Sequence, residues 1–312
     1  MITVLAGGTG AAKFIRGLIE IIPQEEITII GNTGDDVTVW GLHVSPDLDT
    51  IMYLLAGLLD EERGWGIKGD TFACLQAMGR YGEITWFQLG DRDLATHIER
   101  SKGLSRGSTL SDVMEHLCRS LNVWARLLPM SDQPVETRIR TPRGVLSFQE
   151  FFVRERWSSE VTGVAFQGSE TAQPAPGVQE AIHASEGVVI APSNPITSIG
   201  PILAVDGIRQ ALCETSAPVV AVSPIVGSQA VSGPAGKLMT ACGHEVSAVG
   251  VAQIYRDFLD GLIIDESDVA LGAEIERLGV CVVQADTIMR DWATKINLAK
   301  AVTSYLRIPD AS

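Results

Sequence analysis

The chain has little positive charge, few cysteines and no long hydrophobic run, and each deficit excludes a class of protein. Its 24 lysines and arginines are outnumbered by 38 aspartates and glutamates, which gives a formal net charge of −14 at pH 7. Nucleic acids and anionic membranes select basic surfaces, so we expect neither as a partner. The five cysteines include no CxxC pair, which favours reduced thiols in a cytosolic protein over a disulfide scaffold.

Targeting and membrane segments are missing from the pattern as well. The opening apolar run at residues 2–6 has no basic leader and no small-residue cleavage site, so no signal peptide is predicted. The longest helical apolar run, at residues 51–59, is far shorter than the ~20 residues that a membrane span needs. It predicts a buried helix instead. We therefore expect a cytoplasmic protein.

The apolar runs that are present predict an α/β fold. An apolar run at residues 2–6, a helical pattern with Phe14 and Leu18 on one face, and a second run at residues 27–30 give strand, helix and strand in that order. This order is typical of a parallel βαβ unit. Further strand-like runs lie at residues 161–166, 187–191, 219–222 and 280–283. We predict a single α/β domain over residues 1–312 with a doubly wound, mostly parallel, Rossmann-like sheet.

The middle of the chain follows another pattern. Residues 107–128 look helical, and residues 135–140 alternate strictly between apolar or β-branched and charged side chains. Residues 141–144, Thr-Pro-Arg-Gly, then place proline and glycine where a type I turn needs them. This indicates an antiparallel hairpin at residues 135–148. We expect it to belong to an inserted helical and β-hairpin subdomain at about residues 100–160.

A glycine-rich turn follows the first predicted strand, Gly7-Gly8-Thr9-Gly10-Ala11-Ala12-Lys13. Its glycines let the backbone approach a phosphate, and the N-terminus of the following helix attracts negative charge. The P-loop spacing is absent. Lys13 replaces the third glycine of a dinucleotide fingerprint, and Gly31-Asn32-Thr33 stands where that fingerprint expects a ribose-binding acid. Phosphate binding is favoured here over a tight turn without a ligand.

Two acidic segments follow the second predicted strand. Gly34-Asp35-Asp36 should lie at the carboxyl edge of the sheet, where such sheets bind ligands, although a polar turn also explains it. In the next segment, Asp49 or Thr50 could be a helix N-cap. Asp47 and Asp49, two residues apart in extended chain, could instead point to one side and offer hard oxygen ligands suited to Mg²⁺. Capping needs one such residue, so we predict a metal role for at least one of these two aspartates.

Other polar segments also follow predicted strands. Residues 86–97 mix aromatic, amide, acid and imidazole groups, although such aromatic residues and a lone His97 are more often structural. Ser193-Asn194-Pro195 and the turns at residues 223–227 and 233–237 repeat the arrangement. Several polar turns at one edge of a sheet are expected to converge on a crevice.

Taken in order, these segments resemble one family, 2-phospho-L-lactate transferase, which assembles coenzyme F-420. The segments are Gly7–Lys13, Asn32–Asp36, Asp47–Thr50, Leu89–His97, Ser193–Pro195 and Gly233–Ala235. The resemblance runs from the first strand to at least Lys237. It implies a magnesium-dependent transferase that acts on small molecules and forms a homodimer.

The resemblance also implies the reaction. The donor is a phosphorylated hydroxy acid (phospholactate, phosphoenolpyruvate or phosphoglycerate) carried as a diphosphate on guanosine. The acceptor is 7,8-didemethyl-8-hydroxy-5-deazariboflavin, a deazaflavin whose terminal ribityl hydroxyl attacks the phosphorus next to the hydroxy acid, and GMP leaves. Attack on a diphosphate needs charge neutralisation and alignment, which Mg²⁺ and positioned donors supply.

Residue roles follow from the same resemblance. Asp49 would be the catalytic residue, as a metal ligand or as the group that orients the acceptor hydroxyl, and Asp47 would assist at the metal. Expected acceptor contacts are Asn32, Thr33, Asp49 and Gln88. Expected contacts to the donor phosphates and guanosine are Gly8, Thr9, Gly10, Lys13 and Asn194. The arginines of the insertion either reach the donor or form a solvated hairpin face; they are Arg138, Arg140, Arg143, Arg154 and Arg156.

Two other functions compete with this one. A non-enzymatic nucleotide-sugar-binding regulator, of the related gluconeogenesis and morphogenesis factor type, shares a glycine-rich opening. In that type the second motif runs Asp-Asp-Gly-Gly-Ser-Ser, whereas here Asp36 is followed by Val37-Thr38-Val39-Trp40 and then by the two-aspartate segment, which favours the transferase. An NAD-dependent oxidoreductase is disfavoured by Lys13 and by the missing ribose-binding acid.

Overall fold

The structure is a computed structural model and describes residues 1–308. Its strands are β1 (Ile2–Ala6), β2 (Ile27–Gly31), β3 (Val37–Val39), β4 (Leu42–Val44), β5 (Arg126–Pro129), β6 (Glu136–Thr141), β7 (Gly144–Ser147), β8 (Gly163–Gln167), β9 (Gly187–Ile190), β10 (Val219–Val222), β11 (Ile225–Val226), β12 (Gln229–Ala230), β13 (Gly261–Asp265) and β14 (Cys281–Ala285). Its helices are α1 (Gly8–Leu18), α2 (Pro46–Leu55), α3 (Ala73–Arg80), α4 (Asp93–Ser105), α5 (Leu110–Ser120), α6 (Val178–His183), α7 (Gly200–Ala204), α8 (Ile208–Glu214), α9 (Ala235–Ala241), α10 (Ala248–Tyr255), α11 (Gly272–Glu276) and α12 (Trp292–Leu306).

Seven strands form one parallel sheet in the order β14-β13-β10-β9-β1-β2-β5. β1 pairs with β2 on one side and with β9 on the other, so that Leu5 lies opposite both Ile30 and Ile190. The chain first builds outward from β1 to β5 and then returns to the other side of β1. The strand order therefore reverses between β1 and β9, which is where open α/β sheets bind ligands. The doubly wound, mostly parallel α/β sheet predicted from the sequence is confirmed.

Alternate residues of each strand enter separate apolar cores on the two faces of the sheet. In β1, Val4 belongs to the same core as Phe14 of α1, whereas Leu5 belongs to the core that contains Ile202 of α7. Because helices cover both faces, the strands can be apolar along their whole length. Among residues 1–308, no helix combines the length and the apolar character needed to cross a membrane.

The segments outside the central sheet differ in part from the prediction. The expected hairpin at residues 135–148 is present as β6 and β7. β5 lies within the expected insertion at about residues 100–160, yet it pairs with β2 in the central sheet. β8, predicted to join that sheet, instead pairs antiparallel with β6. It is only half-buried along most of its length, which an antiparallel strand tolerates and a strand inside a two-faced parallel sheet does not.

Candidate functional site

A crevice of about 910 Å³ opens where the strand order reverses. Part of its lining comes from the segments that follow β1 and β9, namely residues 7–10, 192–194, 197 and 198. These segments touch, since Gly7 N donates to Ser193 Oγ at 3.4 Å. Helix α1 begins here and has no acidic residue in its first turn. Its N-terminus therefore offers partial positive charge and backbone N–H groups to an anion in the crevice.

Glycine is required at position 10 because the first turn of α1 meets the loop after β9 backbone to backbone. A Cβ on Gly10 would collide with the carbonyl oxygen of Pro192. We expect Gly10→Ala to destabilise the fold by about 1–3 kcal/mol, as overpacking does, and to weaken phosphate binding. Urea unfolding measures the first effect. Gly272→Ala is the matched control, because its Cβ would lie at an ordinary 3.8 Å from Val282. Equal midpoints for Gly10→Ala and wild type would contradict the close approach.

Two aspartates reach the crevice from the first turn of α2. The helix begins at Pro46 with Ser45 as N-cap, rather than at Ile51, because proline at the first helical position favours initiation. Asp47 and Asp49 are therefore separated by about 200° around a helix axis. The prediction that they point to one side of an extended segment is therefore wrong. Both still line the crevice, but their carboxylates have different partners.

Asp47 is buried beside a second acidic group. Asn32 Nδ2 donates to Asp47 Oδ2 at 2.9 Å. Burial raises the pKa of Asp47 to about 6, although hydrogen bonds from Asn32 and from the Gly8 backbone lower it in part. Burial also raises the pKa of Asp35 well above its usual range, and the charge of Asp47 raises it further. A cation or a proton would therefore stabilise this carboxylate pair.

The Asp35–Asp47 pair suits a cation held jointly by protein and substrate. Asp35 Oδ1 is buried and has no hydrogen-bond partner among the described residues. Within residues 1–308, no three His, Cys, Asp or Glu side chains are grouped so that they could hold a metal ion. Mg²⁺ is usually bound by one or two carboxylates, and water and substrate phosphates complete its coordination. The two carboxylates fit an incomplete site of this kind, which a diphosphate would complete.

Asp49 forms an ion pair with a buried arginine. Arg100 of α4 is completely buried, and it donates from Nη1 to Asp49 Oδ2 at 3.1 Å and from Nη2 to Asp49 Oδ1. Ser45 N also donates to Asp49 Oδ2, at 3.3 Å. Burial by itself would lower the pKa of Arg100, but the charge of Asp49, its hydrogen bond and the nearby Asp36 together outweigh burial, and the pKa is raised. Asp49 is thus a fixed, ion-paired carboxylate at the crevice wall.

Three more polar groups extend this network. His97 Nε2 lies 3.1 Å from Asp93 Oδ1, and the Tyr53 hydroxyl donates to the same oxygen at 2.7 Å. Burial raises the pKa of Asp93, but the hydrogen bonds from His97 and Tyr53 and nearby positive charge lower it overall. Asp93, His97 and Arg100 share one face of α4, because residues three and four apart are neighbours on a helix. One helix face therefore supports Asp49 and lines part of the crevice.

Most of the site residues predicted from the sequence meet in this crevice. Those that line it are Gly8, Thr9, Gly10, Lys13, Asp47, Asp49, Gln88 and Asn194. Asn32 and Thr33, expected to contact the acceptor, do not line it but are buried. Asn32 holds Asp47 instead, and its Oδ1 accepts from Gly34 N at 2.8 Å. Of the five arginines considered in the insertion, Arg156 lines the crevice, whereas Arg138 and Arg154 pair with neighbouring glutamates.

Several crevice walls were not identified from the sequence. Residues 287–290 follow β14, so the rule for carboxyl ends of strands, applied to that last strand, would have found them. Arg100 does not line the crevice; its helical spacing places it on one face with Asp93 and His97, but its pairing with Asp49 has no local signal. No local signal marks Trp65 or Trp157 as crevice residues.

Comparisons with known proteins bear on the family and on the fold. A family model described as 2-phospho-L-lactate transferase CofD matches residues 2–296. A 2-phospho-L-lactate transferase of Methanosarcina mazei is 46% identical over 299 residues, which cover 96% of this chain and 98% of the relative. A phosphoenolpyruvate transferase of Streptomyces griseus subsp. griseus is 47% identical over 285 residues, with 89% and 90% covered. A solved structure of a upf0052 family member from Bacillus halodurans has a TM-score of 0.62 at 16% identity, covers 91% of this chain and 92% of that one, and shows a shared fold.

Proposed function

The chain belongs to the 2-phospho-L-lactate transferase CofD family, and we propose that it transfers a phospho-hydroxy acid to a deazaflavin in coenzyme F-420 biosynthesis. The donor is the guanosine diphosphate-linked acid, and the acceptor is the terminal ribityl hydroxyl of 7,8-didemethyl-8-hydroxy-5-deazariboflavin. The hydroxyl oxygen bonds to the phosphorus next to the hydroxy acid, and the bond from that phosphorus to the bridging oxygen breaks. GMP leaves with the bridging oxygen, and the hydroxyl proton leaves to a crevice carboxylate or to water.

One observation carries the proposal: a helix N-terminus and acidic side chains face the same crevice. The chain has a formal net charge of −14, so a diphosphate needs local positive charge to bind. The start of α1 supplies part of it, and Lys13 and Arg156 are among the residues that line the same crevice. This supports a donor site at the glycine-rich turn, with Gly8, Thr9 and Gly10 as backbone contacts.

The acidic groups support the second half of the proposal. Asp47, with Asp35 or Asp49 as a second carboxylate, would hold Mg²⁺, which neutralises charge on a diphosphate. Asp49 is fixed by Arg100 and would accept a hydrogen bond from the acceptor hydroxyl, which aligns that oxygen for attack. Gln88 is exposed in the crevice and offers the deazaflavin a neutral amide.

The test is a transfer assay with purified protein, the deazaflavin, Mg²⁺ and each of three guanosine diphosphate-linked donors. The donors carry 2-phospho-L-lactate, phosphoenolpyruvate or 3-phosphoglycerate, since relatives named for the first and second acids match at similar identity. We expect the phosphodiester and GMP to form with one donor and to disappear on chelation, as followed by mass spectrometry. Binding of a nucleotide sugar without turnover of any donor would contradict the proposal and indicate a nucleotide-sugar-binding regulator.

A further inference from the structure

One wall of the crevice is a row of aromatic rings. This aromatic wall consists of Phe148, Phe152 and Trp157, all of which line the crevice. The rings of Phe148 and Phe152 are stacked, with centroids 5.3 Å apart and planes at 15°. The rings of Phe152 and Trp157 follow at 5.1 Å and 34°. Phe152 thus has a ring on each side, whereas Trp157 ends the row and keeps 41% of its surface exposed.

The backbone that carries this wall is unusual. Glu150–Arg154 forms a single π-helical turn, a feature that is rare and frequent at functional sites. Arg156 and Trp157 follow with φ of +48° and +47°. This left-handed region is unfavourable for side chains with a Cβ, and bulky residues rarely adopt it. Such residues persist where surrounding structure holds them, and they cluster at ligand-binding sites.

Contacts from two other positions hold Trp157 in this conformation. Lys237 of α9 donates from Nζ to Trp157 O at 2.6 Å and to Ser159 O at 3.2 Å. Trp157 N donates to Phe151 O at 2.8 Å, and the Phe151 side chain is fully buried. The strained segment is therefore anchored at its backbone while its large ring remains partly exposed in the crevice. Burial of apolar surface does not account for a ring held in this way.

We propose that the aromatic wall is a stacking site for a planar fused heteroaromatic ring, with Trp157 as the contacting residue. The inference rests on the proposed function, which supplies two such rings, the deazaflavin of the acceptor and the guanine of the donor. Stacking on an aromatic side chain is favourable for any planar ring, and its removal weakens binding by roughly 10-fold. Trp86 lies nearby, under the Arg154 guanidinium at 5.9 Å, and widens the same aromatic region.

Trp157→Gly separates binding from folding. Glycine adopts the left-handed conformation without strain, so the variant loses the ring while its fold is retained. Trp40→Gly is the matched control, because Trp40 is also left-handed, with φ +52°, and does not line the crevice. Calorimetric titrations with GMP and, separately, with the deazaflavin are expected to show roughly 10-fold weaker binding of one ligand to Trp157→Gly. The affinities of Trp40→Gly should stay within about twofold of wild type.

The two titrations identify which ring the aromatic wall binds. A loss confined to the deazaflavin assigns the wall to the acceptor, and a loss confined to GMP assigns it to the donor. Trp157→Phe should retain most of the affinity. Lys237→Met removes the hydrogen bonds to the backbone of Trp157 and Ser159 but no ring, and it should weaken binding of the same ligand. This variant replaces Trp157→Gly as the test if Trp157→Gly does not fold. Unchanged affinity of Trp157→Gly for both ligands overturns the stacking site, as does wild-type protein that binds neither.

The titrations are independent of turnover. If no donor is converted in the transfer assay but Trp157→Gly binds one ring more weakly, the stacking site stands and the proposed function fails. If transfer occurs and Trp157→Gly leaves both dissociation constants and both KM values unchanged, the stacking site alone fails.

Discussion

Replacing Asp47 by asparagine is expected to reduce transfer by at least about 100-fold, because a metal ion contributes several kcal/mol to the stability of such transition states. Asparagine keeps the shape and can still accept the hydrogen bond from Asn32, so the fold should be preserved. What is lost is one negative charge in the crevice. The measurement is kcat and KM for the donor, with Mg²⁺ varied at each substrate concentration.

The same substitution is expected to stabilise the ligand-free protein at pH 8. The pKa of Asp47 is raised from its usual 3.8 to about 6, so its proton binds more tightly in the folded state than in the unfolded state. That contribution to stability is fully present below pH 4 and is lost as the pH rises through 6. Asparagine mimics the protonated form at every pH. We therefore expect a gain of up to about 3 kcal/mol at pH 8 and little difference at pH 4.

Urea unfolding at pH 4 and pH 8, with and without Mg²⁺, checks this result. Mg²⁺ should raise the stability of the wild type at pH 8, since it binds the folded state, and should have much less effect on Asp47→Asn. Asp206→Asn is the control, because Asp206 is exposed and does not line the crevice. If Asp47→Asn retained transfer, Asp47 would not hold a metal ion that the reaction needs. If Asp47→Asn were less stable than wild type at pH 8, burial would not destabilise the charged Asp47 carboxylate.

Elements with a local signal were predictable from the sequence. The four residues of β9, Gly187–Ile190, are buried without a break, and such runs are typical of a parallel sheet. β5 carries the same kind of signal but only in Leu127 and Leu128, and the prediction of a helix over residues 107–128 is wrong there, because α5 ends at Ser120. The start of α2 was also signalled, since Pro46 after Ser45 is a common way to begin a helix. The spacing of Asp47 and Asp49 fits an extended segment as well, but the structure follows the proline.

Features that depend on distant residues could not be read in this way. Arg100 is 51 positions from Asp49, and nothing local indicates that its charge is completely buried. The backbone of Trp157 is held by Lys237, 80 positions further along. The raised pKa of Asp35 depends on burial and on Asp47, which a loop and a hairpin separate from it in sequence. Local patterns pointed to the crevice segments after β1 and β9 but not to those after β14, and tertiary contacts decide what each side chain does there.

Arg100→Met is expected to destabilise the fold by about 3–5 kcal/mol, because it leaves the Asp49 carboxylate buried without its partner. Arg100 is completely buried and donates to both carboxylate oxygens of Asp49. Arg100→Lys keeps the charge but not the forked geometry, so it should be less destabilised and still lose transfer. Arg119→Met is the control, since its ion pair with Glu115 is exposed and should contribute less than about 1 kcal/mol.

The double variant Arg100→Met with Asp49→Leu separates the stability of the fold from the chemistry of the site. Replacing both partners of a buried ion pair by apolar side chains is often neutral or stabilising. We therefore expect urea unfolding to show most of the lost stability restored. Transfer should remain absent, because the carboxylate that faces the acceptor hydroxyl is gone. If the double variant transferred the phospho-hydroxy acid at the wild-type rate, Asp49 would be a structural partner of Arg100 alone. If Arg100→Met were as stable as wild type, the buried ion pair would not hold Asp49 in place.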